Sequence, residues 1–462
     1  MQTKPRHTAL FIVFLSIIST IFSWDGSFEG GDIAAARRSF LGENPIDLWG
    51  GFNGFFYGNI PNLIFPWGLW LLILQMICAT TGLILISKNL KLVNRTRQVM
   101  FFALCYLILS FSGYLTRDST MTSFYILGCG LILLSNNFSK MSKKASFFIG
   151  TILIVLAVAF RPWLFFAALL PAIFLRRFNL KNFTFIIVLI LSPLCIERLM
   201  YLTTDYKEVH PQLQVIISDV ASMTCLSTSN EVRQNGIALL NRFSDTTYSD
   251  KEICGDFRVN TWQSVGGWSL NLSEIGLEAF NEASSRQSKI LISSNMKTDK
   301  YNEIQNSWLS FIAKFPKDYL QIKSIQLNQL MISGDTFGLR IIDSSTFKEY
   351  MSGMFFIPFD TVISLHLLSP ALTFLFGIII VILSLSRVTI YRLIHTREIV
   401  FSFLFLSCWM LTTSIAYIGD NGRYTYLSSF IFYIFLFLGI SRITKFPSEV
   451  KNIDSNRNNF EE

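Results

Sequence analysis

The charged residues that could do chemistry stand in short motifs at the ends of long apolar runs. Trp24-Asp25-Gly26 and Glu29-Gly30-Gly31-Asp32 place carboxylates just after the first such run. Partial shielding from water raises a carboxylate's proton affinity and a nearby guanidinium lowers it, so a carboxylate in this setting can act as a general base. Asp25 reads best as a turn residue with a supporting role. Asp32 can cap the helix that begins Ile33-Ala34-Ala35-Ala36, act as the base, or do both.

Three further motifs add cations. Leu115-Thr116-Arg117-Asp118-Ser119 sets a cation beside an anion in a very short connection. Arg117 offers the planar fork of donors that suits a phosphate, while Asp118 can orient an arginine, bind a divalent ion such as Mg or Mn, or simply cap the next helix. Arg161-Pro162-Trp163 repeats the theme, with a snorkelling arginine as the plainer alternative. Gly419-Asp420-Asn421-Gly422-Arg423-Tyr424 supplies another acid and another base. Asp420 serves tight-turn chemistry equally well, whereas turn geometry does not require Arg423 and Tyr424. Asp32, Arg117 with Asp118, Arg161 and Arg423 therefore come from separate connections, and meeting at one depth they would suit an anionic lipid headgroup.

The elements that must position these groups are set by composition. The chain has 462 residues, 51% hydrophobic and 15% charged, with 44 Phe. Apolar runs near the roughly 20 residues that cross hydrocarbon predict an all-α, polytopic membrane protein. Spans are expected at 8–24, 65–86, 98–115, 120–136, 145–160, 162–175, 182–203, 366–386, 399–418 and 425–440. The segments 145–160 and 162–175 are short, and form either a hairpin turning at Arg161-Pro162 or one bent helix. The first run reads as a retained signal anchor, because no small-residue cleavage site follows it.

Although the formal charge is +8, the Lys and Arg residues lie in clusters between apolar runs. Lys88, Lys91, Arg95 and Arg97, then Lys140, Lys143 and Lys144, then Arg176, Arg177 and Lys181, then Arg387, Arg392 and Arg397 fall on the side of both termini. That pattern predicts cytoplasmic termini in a bacterial inner membrane and gives no reason to expect nucleic acid as a partner. The motifs above then face the periplasm.

The expected organisation follows. Residues 1–203 hold seven spans and a periplasmic loop at 25–64, residues 204–365 a periplasmic helical domain, 366–440 the last three spans, and 441–462 a cytoplasmic tail. Apolar spacing in the domain predicts helices at about 208–224, 229–243, 273–283, 301–315 and 317–332. Cys225 and Cys254 lie in this domain, where an oxidising compartment permits a bridge and two buried thiols are the alternative. Near the seventh span's outer end, Glu197 and Arg198 are expected to pair.

With these motifs the chain resembles the GT-C superfamily of polytopic membrane glycosyltransferases, in particular bacterial enzymes that use a polyprenyl-phosphate sugar. The resemblance rests on Gly31-Asp32, Arg117-Asp118-Ser119, Arg161-Pro162-Trp163 and Asp420 to Tyr424, and on the large outer domain. It implies that Asp32 is the catalytic base, that Arg117, Arg161 and Arg423 bind the donor phosphate, and that Asp118 orients one of them or helps hold a divalent cation. The acceptor would be an envelope glycan such as the O-antigen of lipopolysaccharide, and transfer by a single base would invert the anomeric centre. An O-antigen polymerase or ligase is the first alternative. A flippase for lipid-linked sugar is the second, although the charges deep in the spans and the paired halves expected of a transporter are absent from the sequence.

Overall fold

The computed structural model describes residues 5–23, 33, 36–37, 40–41, 51–61, 66–90, 95–113, 115–134, 140–174, 180–203, 213–242, 247, 249–254, 300–332, 370–385, 397–416 and 426–443. Among them, all regular structure is helical. Each apolar run marked by hydropathy holds a helix: α1 (Pro5–Ser23), α3 (Trp67–Ser87), α4 (Arg95–Ser112), α5 (Arg117–Leu134), α6 (Lys140–Ala159), a 3-10 helix (Pro162–Phe174), α7 (Leu180–Thr203), α13 (Pro370–Leu385), α14 (Arg397–Ala416) and α15 (Tyr426–Ile443). Between the first two of these lies the short α2 (Gly51–Gly58).

Among the described residues, three stretches are long and apolar enough by themselves to cross a bilayer: Trp67–Ser87, Ser142–Ala159 and Phe183–Leu202. The last has a mean hydropathy of 2.0 with 17% of its window buried in the protein. An apolar surface that protein does not cover needs hydrocarbon around it, so this helix belongs in a lipid bilayer. Val188, Leu191, Leu199 and Leu202 are among its outward-facing residues.

Glycine sets the spacing at the centre. A Cβ on Gly82 would lie 2.6 Å from the backbone of Ile126, and one on Gly128 would lie 2.8 Å from the carbonyl oxygen of Gly150. Without those side chains α3, α5 and α6 approach backbone to backbone, the usual device where lipid supplies no hydrophobic drive for association. α3 and α5 run parallel, with Gln75 near Thr120 and Gly82 near Ile126. α5 and α6 run antiparallel, with Asp118 near Arg161 and Gly128 near Gly150.

The chain reverses after α6. Arg161 N donates to Val158 O at 2.8 Å and Leu164 N to Arg161 O at 2.9 Å, closing a tight turn. The next segment runs back along α5, where Tyr125 Oη donates to the carbonyl of Ala167 at 2.7 Å. Of the two alternatives for this region, the structure forms the hairpin. Its returning arm is only 13 residues long but mostly 3-10. At about 2.0 Å per residue that arm extends roughly 26 Å, against roughly 20 Å for an α-helix of the same length. The tighter winding thus offsets the shortness that the sequence presents.

A second cluster of buried residues holds α8 (Leu213–Leu226), α9 (Asn230–Arg242), α10 (Asp250–Cys254), α11 (Tyr301–Lys314) and α12 (Pro316–Ile332) around Ile217, Val220, Met223, Ile304 and Phe311. Helices α8, α9, α11 and α12 match expected ones, α10 was not expected, and the helix expected at 273–283 lies outside the described residues. Cys225 and Cys254 form a disulfide that ties α8 to α10. Lys323 donates to Asp219 Oδ1 at 2.7 Å, a buried link between α12 and α8. Leu327, further along α12, packs on the cluster formed by α13, α14 and α15, so α12 joins the domain to the last three helices.

Candidate functional site

Polar groups gather at the end of the bundle where α5 begins and α6 and α7 finish. Thr116 and Ser119 cap α5 reciprocally: Ser119 N donates to Thr116 Oγ1 at 3.1 Å and Thr116 N to Ser119 Oγ at 3.0 Å. The cap is therefore Thr116, and the plain reading of Asp118 as the capping residue does not hold. Its carboxylate turns instead to Arg161.

That contact is bidentate. Arg161 Nε donates to Asp118 Oδ1 at 2.9 Å and Nη2 to Oδ2 at 2.8 Å, and both side chains are 9% exposed. The planar guanidinium and carboxylate match edge to edge, the strongest arrangement open to such a pair. Both oxygens of Asp118 thereby accept from a cation already in place, an arrangement in which the carboxylate orients Arg161. No group of three or more His, Cys, Asp or Glu gathers to hold an ion among the described residues.

Arg117, beside Asp118 in the chain, lies within electrostatic reach of Glu197 on α7. Glu197 departs from expectation. It is buried while Arg198 is exposed, and instead of pairing with that neighbour it accepts from Gly51 N at 2.7 Å and Phe52 N at 3.0 Å. These amides open α2, and the first amides of any helix need an acceptor from outside it.

α2 lies across this end of the bundle. Asn53 Nδ2 donates to Phe160 O at 3.2 Å, and Tyr57 Oη to Thr120 Oγ1 at 3.2 Å. Gln75 Nε2 reaches the same hydroxyl at 2.5 Å. Phe52, Phe56 and Tyr57 pack on Phe160, and Phe56 also meets Phe124. Three aromatic residues of the 25–64 loop thus go into this contact. Ile33, Ala36 and Arg37 are helical, and the first two are buried in the main core.

Of the residues singled out from the sequence, Arg117, Asp118 and Arg161 are thus brought together. Asp25, Asp32, Asp420, Arg423 and Tyr424 lie outside the described residues. Glu197 as an anchor of α2 was not foreseen, nor was Gln75 in the core; a single carboxylate within an otherwise apolar helix was the available signal. Comparison with protein-family models, curated proteins and solved structures finds no match.

Proposed function

We propose that this chain is a membrane glycosyltransferase of about ten spans that moves a sugar from a polyprenyl-phosphate donor to an envelope glycan such as O-antigen, on the periplasmic face. One observation carries the reading: a buried, side-on Asp118–Arg161 pair next to Arg117 at the end of a helical bundle. Such a pair is costly to desolvate and of doubtful net value to stability, so its retention at this place argues for use. The end of α5 also sits opposite the clustered lysines and arginines that mark the cytoplasmic side.

A polyprenyl-phosphate sugar keeps its tail in hydrocarbon and its phosphate at headgroup level, where Arg117, with Arg161 and Arg423, would meet it. Asp32 takes the proton of the acceptor hydroxyl as that oxygen forms its bond to the anomeric carbon. The bond from that carbon to the phosphate oxygen breaks, its electron pair leaves with the lipid phosphate, and the arginines offset the charge that develops there. Attack from the face opposite the phosphate inverts the centre. Asp118 holds Arg161 in orientation.

Glycan analysis of cells expressing the native protein, Asp32→Asn or Arg117→Ala, each checked for normal membrane insertion, tests this reading. Loss of one sugar from the envelope glycan in both variants is the expected result. Normal modification by both overturns it; a change in polymer length alone indicates a polymerase, and movement of lipid-linked sugar without transfer indicates a flippase.

A further inference from the structure

Helix α2 has eight residues, too few to persist in water without support. Each of its ends meets a charge opposite to its dipole. At the first end, Glu197 accepts from Gly51 N and Phe52 N. At the last, Arg37 Nη1 donates to Tyr57 O at 2.5 Å and Ile60 O at 2.8 Å, with Gly58 O at 3.3 Å. The Arg37 guanidinium also lies over the Trp67 ring, 5.1 Å from its centre, at the start of α3. Glu197 comes from α7, and Arg37 stands five positions after Asp32 in the same connection as α2.

We propose that Glu197 and Arg37 are positioning residues, which clamp α2 between opposite charges and so hold the chain that carries Asp32 against the Arg117 end of the bundle. The clamp stands on geometry alone; its catalytic consequence rests on the reading of Asp32 as the base. Three features converge on it. The anion of the clamp lies within electrostatic reach of Arg117, the cation proposed to meet the donor phosphate. Ile33 and Ala36, close to Arg37 in sequence and helical like it, are buried in the main core. The side chains of Asn53 and Tyr57 also bond α2 to Phe160 and Thr120. A helix fixed in this way would give a base in the same connection the rigid support that finding one hydroxyl requires.

Amide hydrogen exchange of the full-length protein in lipid nanodiscs reads the clamp without reference to activity. Peptides covering 51–61 should exchange about tenfold faster in Glu197→Ala and Arg37→Ala, with Glu197→Gln and Arg37→Lys closer to the native protein and the α8–α12 peptides unchanged. Unchanged exchange in both alanine variants overturns the clamp, whatever the activity. With exchange raised, transfer assays follow: Arg37→Ala should lower kcat at unchanged donor KM, and Arg37→Lys should restore part of it. Native kcat in Arg37→Ala beside an inactive Asp32→Asn overturns the positioning role. Normal transfer by Asp32→Asn with raised exchange in the alanine variants upholds the clamp and overturns the reading of Asp32.

Discussion

Arg161 and Asp118, 43 residues apart in sequence, meet edge to edge through two hydrogen bonds of 2.9 and 2.8 Å. The pair closes the hairpin of α5 and α6 at the end where the chain turns into the 3-10 helix. Each partner neutralises a charge that the other would otherwise leave stranded. Asp118→Ala or Arg161→Ala should therefore cost about 3–5 kcal/mol, whereas the double variant Asp118→Leu/Arg161→Met should cost clearly less than the sum. Unfolding of the purified variants in mixed micelles, arranged as a double-mutant cycle, checks this. Additive costs would mean that the pair does not act as a unit.

The contact between α3, α5 and α6 depends on missing side chains. Gly82→Val or Gly128→Val should destabilise the protein by about 1–3 kcal/mol, since the obstructing atoms include backbone that cannot rotate aside. Thermal midpoints in detergent check this, and native midpoints for both variants would contradict the close packing.

The disulfide spans 29 positions of sequence. Closing a loop of that length restricts the unfolded chain by about 3 kcal/mol, so Cys225→Ser/Cys254→Ser should lower the stability of the α8–α12 domain by about that amount. Proteolytic protection of 213–332 under oxidising and reducing conditions reads the effect. Identical protection of native protein with and without reductant would contradict it.

Burial raises the Asp219 carboxyl above its ordinary value of 3.8, against the opposing pull of Lys323 and Trp308. The folded domain thus holds that proton more tightly than the unfolded chain. This contribution to stability is fully present below the ordinary value and is lost as pH rises through the raised one. Asp219→Asn removes that component, so the variant's midpoint relative to native should improve as pH climbs through this window, from whatever offset the neutral partner of Lys323 imposes. A pH-independent difference would be contrary to expectation.

Much of the fold was legible because hydrocarbon imposes a length and a composition on whatever crosses it. The helices fall within a few residues of the apolar runs, and α8, α9, α11 and α12 follow the apolar spacing of residues 204–365. Arg117, Asp118 and Arg161 were legible for the same reason, as charges where charges are expensive. Their pairing was not, because it depends on the register of an antiparallel hairpin. Glu197 shows the limit more sharply. Its neighbour Arg198 was the obvious partner by sequence, but consecutive residues on a helix point about 100° apart. That rotation turns Arg198 outward and sends Glu197 to amides 146 positions away. The 3-10 winding of 162–174 was equally hidden, since a short apolar run carries no mark of its pitch.

Titration of the purified protein in nanodiscs with polyprenyl phosphate, the part of the donor common to any sugar, tests the central claim most directly. The account predicts saturable binding, a Kd raised at least about tenfold by Arg117→Ala, and little change in Asp32→Asn, whose role is proton transfer. Equal binding by the native protein and Arg117→Ala, or no saturable binding at all, would contradict it.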